Sequence, residues 1–136
     1  MKLRFAFLLL FSSVGGPALA DSPLPLPEKF TVCSRDETVC AISDPAEGTT
    51  LVTQKASGKI LWKIPGWHRW LFVSDDGESV VVGYDGMNLV PLDVTLDEPV
   101  LFFYHRGNLV RTVTLEYFYR SKSQLRRTVS HFAWGH

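Results

Sequence analysis

Cysteine is nearly missing from this chain: Cys33 and Cys40 are the only two in 136 residues. That scarcity excludes a disulfide-dense miniature scaffold and a zinc ribbon built on four thiolates. Glycine (10) and proline (8) are too few, and too irregularly placed, for a collagen-like or low-complexity chain. No apolar run reaches the roughly 17 to 25 residues that a bilayer-spanning helix takes. An excess of one charge is missing too, with 14 basic and 14 acidic side chains. The basic residues of the last third, Arg106, Arg111, Arg120, Lys122, Arg126 and Arg127, are scattered rather than blocked, which excludes a nucleic-acid-binding stripe. His68, His105, His131 and His136 have no metal-ligand spacing, and no Gly-x-Ser-x-Gly elbow is present. Ser130 and His131 are neighbours on an expected strand, where adjacent side chains point to opposite faces. The sequence therefore predicts no catalytic residue, no metal site and no cofactor.

Residues 1–20 read as a signal peptide. Lys2 and Arg4 give a positive end, Phe5–Val14 an apolar stretch of signal length, and Ala18-Leu19-Ala20 a small-x-small cleavage pattern. The expectation is cleavage after Ala20, no transmembrane segment in the mature chain, and a periplasmic or secreted location. Asp21–Lys29 follows as an arm in which proline and leucine alternate, a composition that favours an extended polyproline-like spacer or a ligand for a partner groove. Outside the cytosol Cys33 and Cys40 are expected to form a disulfide. If Asp36 and Glu37 make a two-residue turn, residue numbers summing to 73 face one another and the two cysteines are directly opposed.

The domain proper is expected over 30–136, mainly all-β. Short apolar runs flank Ser57-Gly58, Asp76-Gly77, Asp85-Gly86 and Arg106-Gly107, and X-Gly between such runs marks antiparallel hairpins. Around Asp76-Gly77 the pairing puts Leu71 opposite Val82, Phe72 opposite Val81 and Val73 opposite Val80. Both faces are then apolar, which calls for the middle of a layered meander or sandwich. Over 115–126 the apolar spacing changes to that of a short helix capped by Thr114. Val129–Trp134 is strand-like again, as a docked terminal strand or the start of a continuation.

Ser57-Gly58-Lys59-Ile60-Leu61-Trp62 and Leu71-Phe72-Val73-Ser74-Asp75-Asp76-Gly77-Glu78-Ser79-Val80-Val81-Val82 resemble the blade motifs of exported, quinoprotein-like β-propeller repeat proteins, over about Thr49–Val113. The resemblance implies propeller-type sheets. A blade takes four strands in about 40 to 45 residues and closure takes at least four blades. This chain has room for two, with Thr53–Trp62 echoed by Phe102–Arg111. The resemblance thus implies sandwiched blade-like pieces, an incomplete propeller, or the N-terminal fragment of a longer protein. Nothing matches a quinoprotein cofactor site.

Pro65-Gly66-Trp67-His68-Arg69-Trp70 is the candidate binding segment, because two tryptophans flank a cationic pair and Trp and Arg dominate binding hot spots. Trp67, His68, Arg69 and Trp70 are its residues. The expected function is a non-enzymatic module that presents a surface to another envelope or extracellular protein, with oligomeric state open. The alternative is glycan or small-ligand binding through Trp67 and Trp70. An exported hydrolase using His131 is the reading with least support.

Overall fold

The computed structural model describes residues 23–135. The expected leader, its cleavage after Ala20, the first two residues of the arm and His136 lie outside them. The architecture is mainly β, in three antiparallel sheets with no closed barrel. The first sheet takes β1 (Phe30–Cys33), β2 (Val39–Asp44), β3 (Thr49–Gln54) and β4 (Ile60–Pro65) in chain order. The second has the order β5 (Leu71–Val73), β6 (Ser79–Gly83), β8 (Pro99–His105), β9 (Asn108–Thr114). The third joins β10 (Arg126–Arg127), β11 (His131–Ala133) and β7 (Leu89–Pro91).

Two apolar cores hold these sheets together. Val39, Ala41, Val52 and Ile64 from the first sheet meet Leu71, Val80 and Val82 from the second. Val90, Val94, Val100, Leu115, Leu125 and Trp134 form the other core, with Trp70 and Tyr84 packed against it. Leu71, Val80 and Val82 of the β5–β6 hairpin face the first core and the preceding residue, Trp70, packs on the second; the hairpin's other apolar face, expected inside a layered structure, is instead open to solvent at Phe72, which is 51% exposed. The hairpin's register is the expected one, with Leu71 opposite Val82, Phe72 opposite Val81 and Val73 opposite Val80.

The Cys33–Cys40 disulfide is present at the expected register. Its Cα atoms are 3.9 Å apart, closer than the roughly 4.4 to 6.8 Å of most bridged pairs. In the next pair toward the turn the Ser34 N–H donates to the Val39 carbonyl at 2.8 Å, so the cysteines occupy the narrow, non-hydrogen-bonded position.

Ser34–Val39 and Ser74–Ser79 are the same turn, built twice. In each, the serine hydroxyl donates to the aspartate two residues on (2.7 Å to Asp36, 2.5 Å to Asp76). That aspartate accepts the N–H two residues further, of Thr38 or Glu78. The last residue's N–H returns to the serine hydroxyl, and Glu37 (φ +60°) and Gly77 (φ +70°) take the same left-handed backbone. The two turns touch, since the Asp36 N–H donates to Asp75 at 3.2 Å. The strands repeat with them: β5, β6, β7 and β8 begin about 40 residues after β1, β2, β3 and β4. The echo expected between Thr53–Trp62 and Phe102–Arg111 instead relates the β3–β4 hairpin to β8–β9. In the second unit β7 pairs with β11 rather than with its neighbours, and β8 lies directly beside β6.

The helix expected over 115–126 is replaced by two single 3-10 turns, Leu115–Tyr117 and Lys122–Gln124, followed by strand β10. The break falls where a second turn is capped afresh: the Gln124 side chain accepts the Arg120 and Ser121 N–H groups at 2.6 and 3.2 Å, forming with Ser121 a capping box that opens Lys122–Gln124 as a separate turn.

Candidate functional site

The segment leaving β4 turns at Gly66 (φ +90°), a conformation glycine adopts without strain. Two buried hydroxyls fix it. Ser43 and Thr50 face each other across β2–β3 with their oxygens 3.0 Å apart. Thr50 donates to the Gly66 carbonyl at 3.0 Å, and the His68 N–H donates to Ser43 at 2.8 Å. The His68 ring folds back to 2.9 Å from the Pro65 carbonyl, so it latches its own loop. Of the four candidate residues, His68 is the one spent on positioning.

Trp67 and Arg69 face the proline-rich arm. The indole N–H of Trp67 donates to the Glu28 carbonyl at 2.8 Å, and Arg69 Nη1 donates to the Pro25 carbonyl at 2.8 Å. The Arg69 guanidinium lies 5.0 Å over the Trp67 ring, whose edge meets Phe30 with centroids 6.1 Å apart. Beside this contact Pro25, Leu26 and Glu28 of the arm, with Phe30, Trp67 and Arg69, line an open pocket of about 280 Å³. Lys29 anchors the base of the arm through an ion pair to Asp44 at 3.0 Å, and this hydrogen bond holds the Asp44 carboxyl below its ordinary pKa.

Trp70 goes the other way. Its ring lies against Gly83, where any side chain would collide with it, and has Phe72 and Trp134 at centroid distances of 5.9 and 5.8 Å. From Trp134 the aromatic contacts continue to Phe118 (6.3 Å) and Tyr117 (5.2 Å further), and the Arg111 guanidinium caps the Tyr117 ring at 5.5 Å. Across the second sheet Arg111 pairs with Phe103, Phe103 with Val81 and Val81 with Phe72, which closes the circuit. Phe72 is 51% exposed, Phe118 48% and Tyr117 66%. Trp134 is buried and carries the ring inward. The candidate segment is thus divided between two surfaces, and Phe72, Arg111, Tyr117 and Phe118 join Trp70 without having been singled out by spacing. Tyr117 and Phe118 lie in the aromatic run after Val113, where a helix was expected, and Phe72 on the second apolar face of the β5–β6 hairpin, so sequence spacing did not bring them together.

Ser130 and His131 do not obey strand alternation, because β11 begins at His131; the hydroxyl lies 2.9 Å from Nδ1. His105 lies 3.9 Å from Glu78, which also pairs with Arg106 and raises the pKa of that guanidinium by its hydrogen bond. Among the described residues no group of three or more His, Cys, Asp or Glu side chains is placed to hold a metal ion. No helix among them is long and apolar enough to cross a membrane. No family model, curated protein or solved structure matches this chain.

Proposed function

We infer that this chain is a small exported β-domain that works without catalysis, by presenting the aromatic circuit on its second sheet to another envelope or extracellular protein. The half-exposure of Phe72, Phe118 and Tyr117 around a buried Trp134 carries this reading. Aromatic side chains on a rigid sheet lose little conformational entropy on binding, and an arginine over one ring supplies donors at the rim. Export is supported by the leader-like residues 1–20 and is compatible with the Cys33–Cys40 disulfide. The 40-residue repeat supports a second reading, in which the two units are blade-like parts of a longer propeller-type assembly. An intact mass of exported material ending beyond His136 would select it.

The test of the interaction reading is a photo-crosslinking side chain at position 117 in the exported chain. One discrete protein adduct is expected, with a yield reduced at least tenfold by Phe72→Ser combined with Phe118→Ser, at unchanged circular dichroism. No adduct, together with tryptophan quenching by an oligosaccharide panel, would replace it with glycan binding.

A further inference from the structure

The arm is held through its backbone. Trp67 and Arg69 take the carbonyls of Glu28 and Pro25, three residues apart. In a polyproline helix three residues make one turn, so a proline-rich segment in that conformation offers carbonyls three residues apart on one side, about 9 Å from each other. Between Pro25 and Glu28 the Leu26 side chain is 86% exposed, and the two hydrogen bonds from Trp67 and Arg69 go to the arm's backbone. Trp67 and Arg69 therefore hold the proline-bearing arm by its main chain. The groove's other components are an aromatic corner made by Phe30 and Trp67 and a guanidinium stacked on the indole. Arg69 Nε is buried without a hydrogen-bond partner; the nearest carboxylate, on Asp85, is 3.9 Å away. Aromatic corners with indole and guanidinium donors are how polyproline segments are bound elsewhere in protein recognition, because such a ligand is already ordered and leaves its carbonyls free.

We propose that the Trp67–Arg69 groove is a reader of proline-rich extended segments, occupied in cis by residues 25–28, and that its occupant in trans is such a segment of another exported protein. The resident arm is the template for that ligand. It is tethered at Lys29, immediately before β1, so its effective concentration at the groove is on the order of millimolar. A second copy's arm at micromolar concentration cannot compete with an identical tethered one, whereas a better-fitting or multivalent partner segment can. The arm thus sets the threshold for entry.

The test uses the complete chain and a synthetic peptide of residues 22–29. Binding is followed by tryptophan fluorescence and by chemical shifts of the indole N–H groups. Replacing Pro23, Pro25 and Pro27 together by serine loosens the arm without touching either core, and this variant is expected to bind the peptide at least tenfold more tightly than the unaltered chain. In that background Arg69→Gln and Trp67→Phe, which keep the fold's apolar contacts, should each abolish the gain. A peptide with serine for proline should not bind. Equal binding by the unaltered and loosened chains, or no binding by either, would overturn the proposal. A concentration-dependent dimer of the unaltered chain, dissolved by Arg69→Gln, would give the groove to a second copy instead.

Discussion

At Gly83 the second sheet and an indole are in contact with no room between them: a Cβ there would lie 2.6 Å from the Trp70 ring. Gly58 has a left-handed backbone (φ +68°) and nothing within 4 Å, so the two positions separate steric from conformational demands. Gly83→Ala is expected to cost about 1 to 3 kcal/mol by overpacking and to perturb near-ultraviolet dichroism. Gly58→Ala should cost about 1 to 2 kcal/mol through backbone strain alone, with the aromatic signal unchanged. Urea titration of both variants checks the pair. Asp36 and Asp76 are held below the usual carboxylate pKa, first by the hydroxyls of Ser34 and Ser74 and then by the N–H groups of Thr38 and Glu78. Their folded-state values are depressed, so the unfolded chain binds protons first as the medium is acidified. The stability they contribute is complete above the ordinary carboxylate value of about 4 and is lost as pH falls through their lower folded values. Thermal melts at pH 5 and pH 2.5 should differ less in Asp36→Asn/Asp76→Asn than in the unaltered chain.

Where a hairpin forms, the side-chain period made its register legible, but the hairpin expected at Asp85-Gly86 does not form, because β7 leaves β6 and pairs with β11. The facing pairs about Asp36-Glu37 and Asp76-Gly77 follow from counting, and Glu37 takes a glycine-like φ because Asp36 and Ser34 bind the turn. The 40-residue repeat was visible in Ser34-x-Asp36 and Ser74-x-Asp76, but the glycine turns point instead to the 49-residue echo, since Glu37 carries no glycine signal. The helix over 115–126 is divided at a point that apolar spacing does not mark, where Ser121 and Gln124 cap a new turn instead of continuing the first. Gln124→Ala frees the Arg120 and Ser121 N–H groups and should destabilise the protein by about 0.5 to 1.5 kcal/mol. Hydrogen exchange at those two amides should rise well above that of neighbouring β9. Strand β9 is itself an edge, and the bulge that leaves Val110 as an extra residue between Leu109 and Arg111 interrupts the ladder there. Bulged edges resist unwanted strand addition, which leaves the aromatic face beside it as the more selective contact surface.

At the scale of the molecule, the docking of Trp67 and Arg69 on the arm was beyond sequence reasoning, since it joins residues roughly 40 apart through main-chain carbonyls that no side-chain pattern reports. The same holds for β7, which starts at Leu89 while its partner β11 starts at His131. The second sheet contributes to both cores, so the cores should melt together. Trp134→Ala removes the largest side chain of the C-terminal core and is expected to cost about 3 to 5 kcal/mol. The loss should appear as one cooperative transition rather than as selective melting of the third sheet. Equal calorimetric and van't Hoff enthalpies in both proteins check this, and two resolved transitions would show that the shared sheet does not couple them.

The pairing of β7 with β11 also sets an order of events for a chain made from its N-terminus. The first sheet is complete once Pro65 has emerged, because each of its strands pairs with its neighbour in sequence. Val90, wholly enclosed in the finished protein, must wait for Ala133 before its strand is covered. For that interval an apolar ribbon stands open to water and to other nascent chains, a hazard of late, long-range closure. Newly made protein should therefore be most vulnerable to proteases between Leu89 and Trp134, long after its opening hairpins have become resistant.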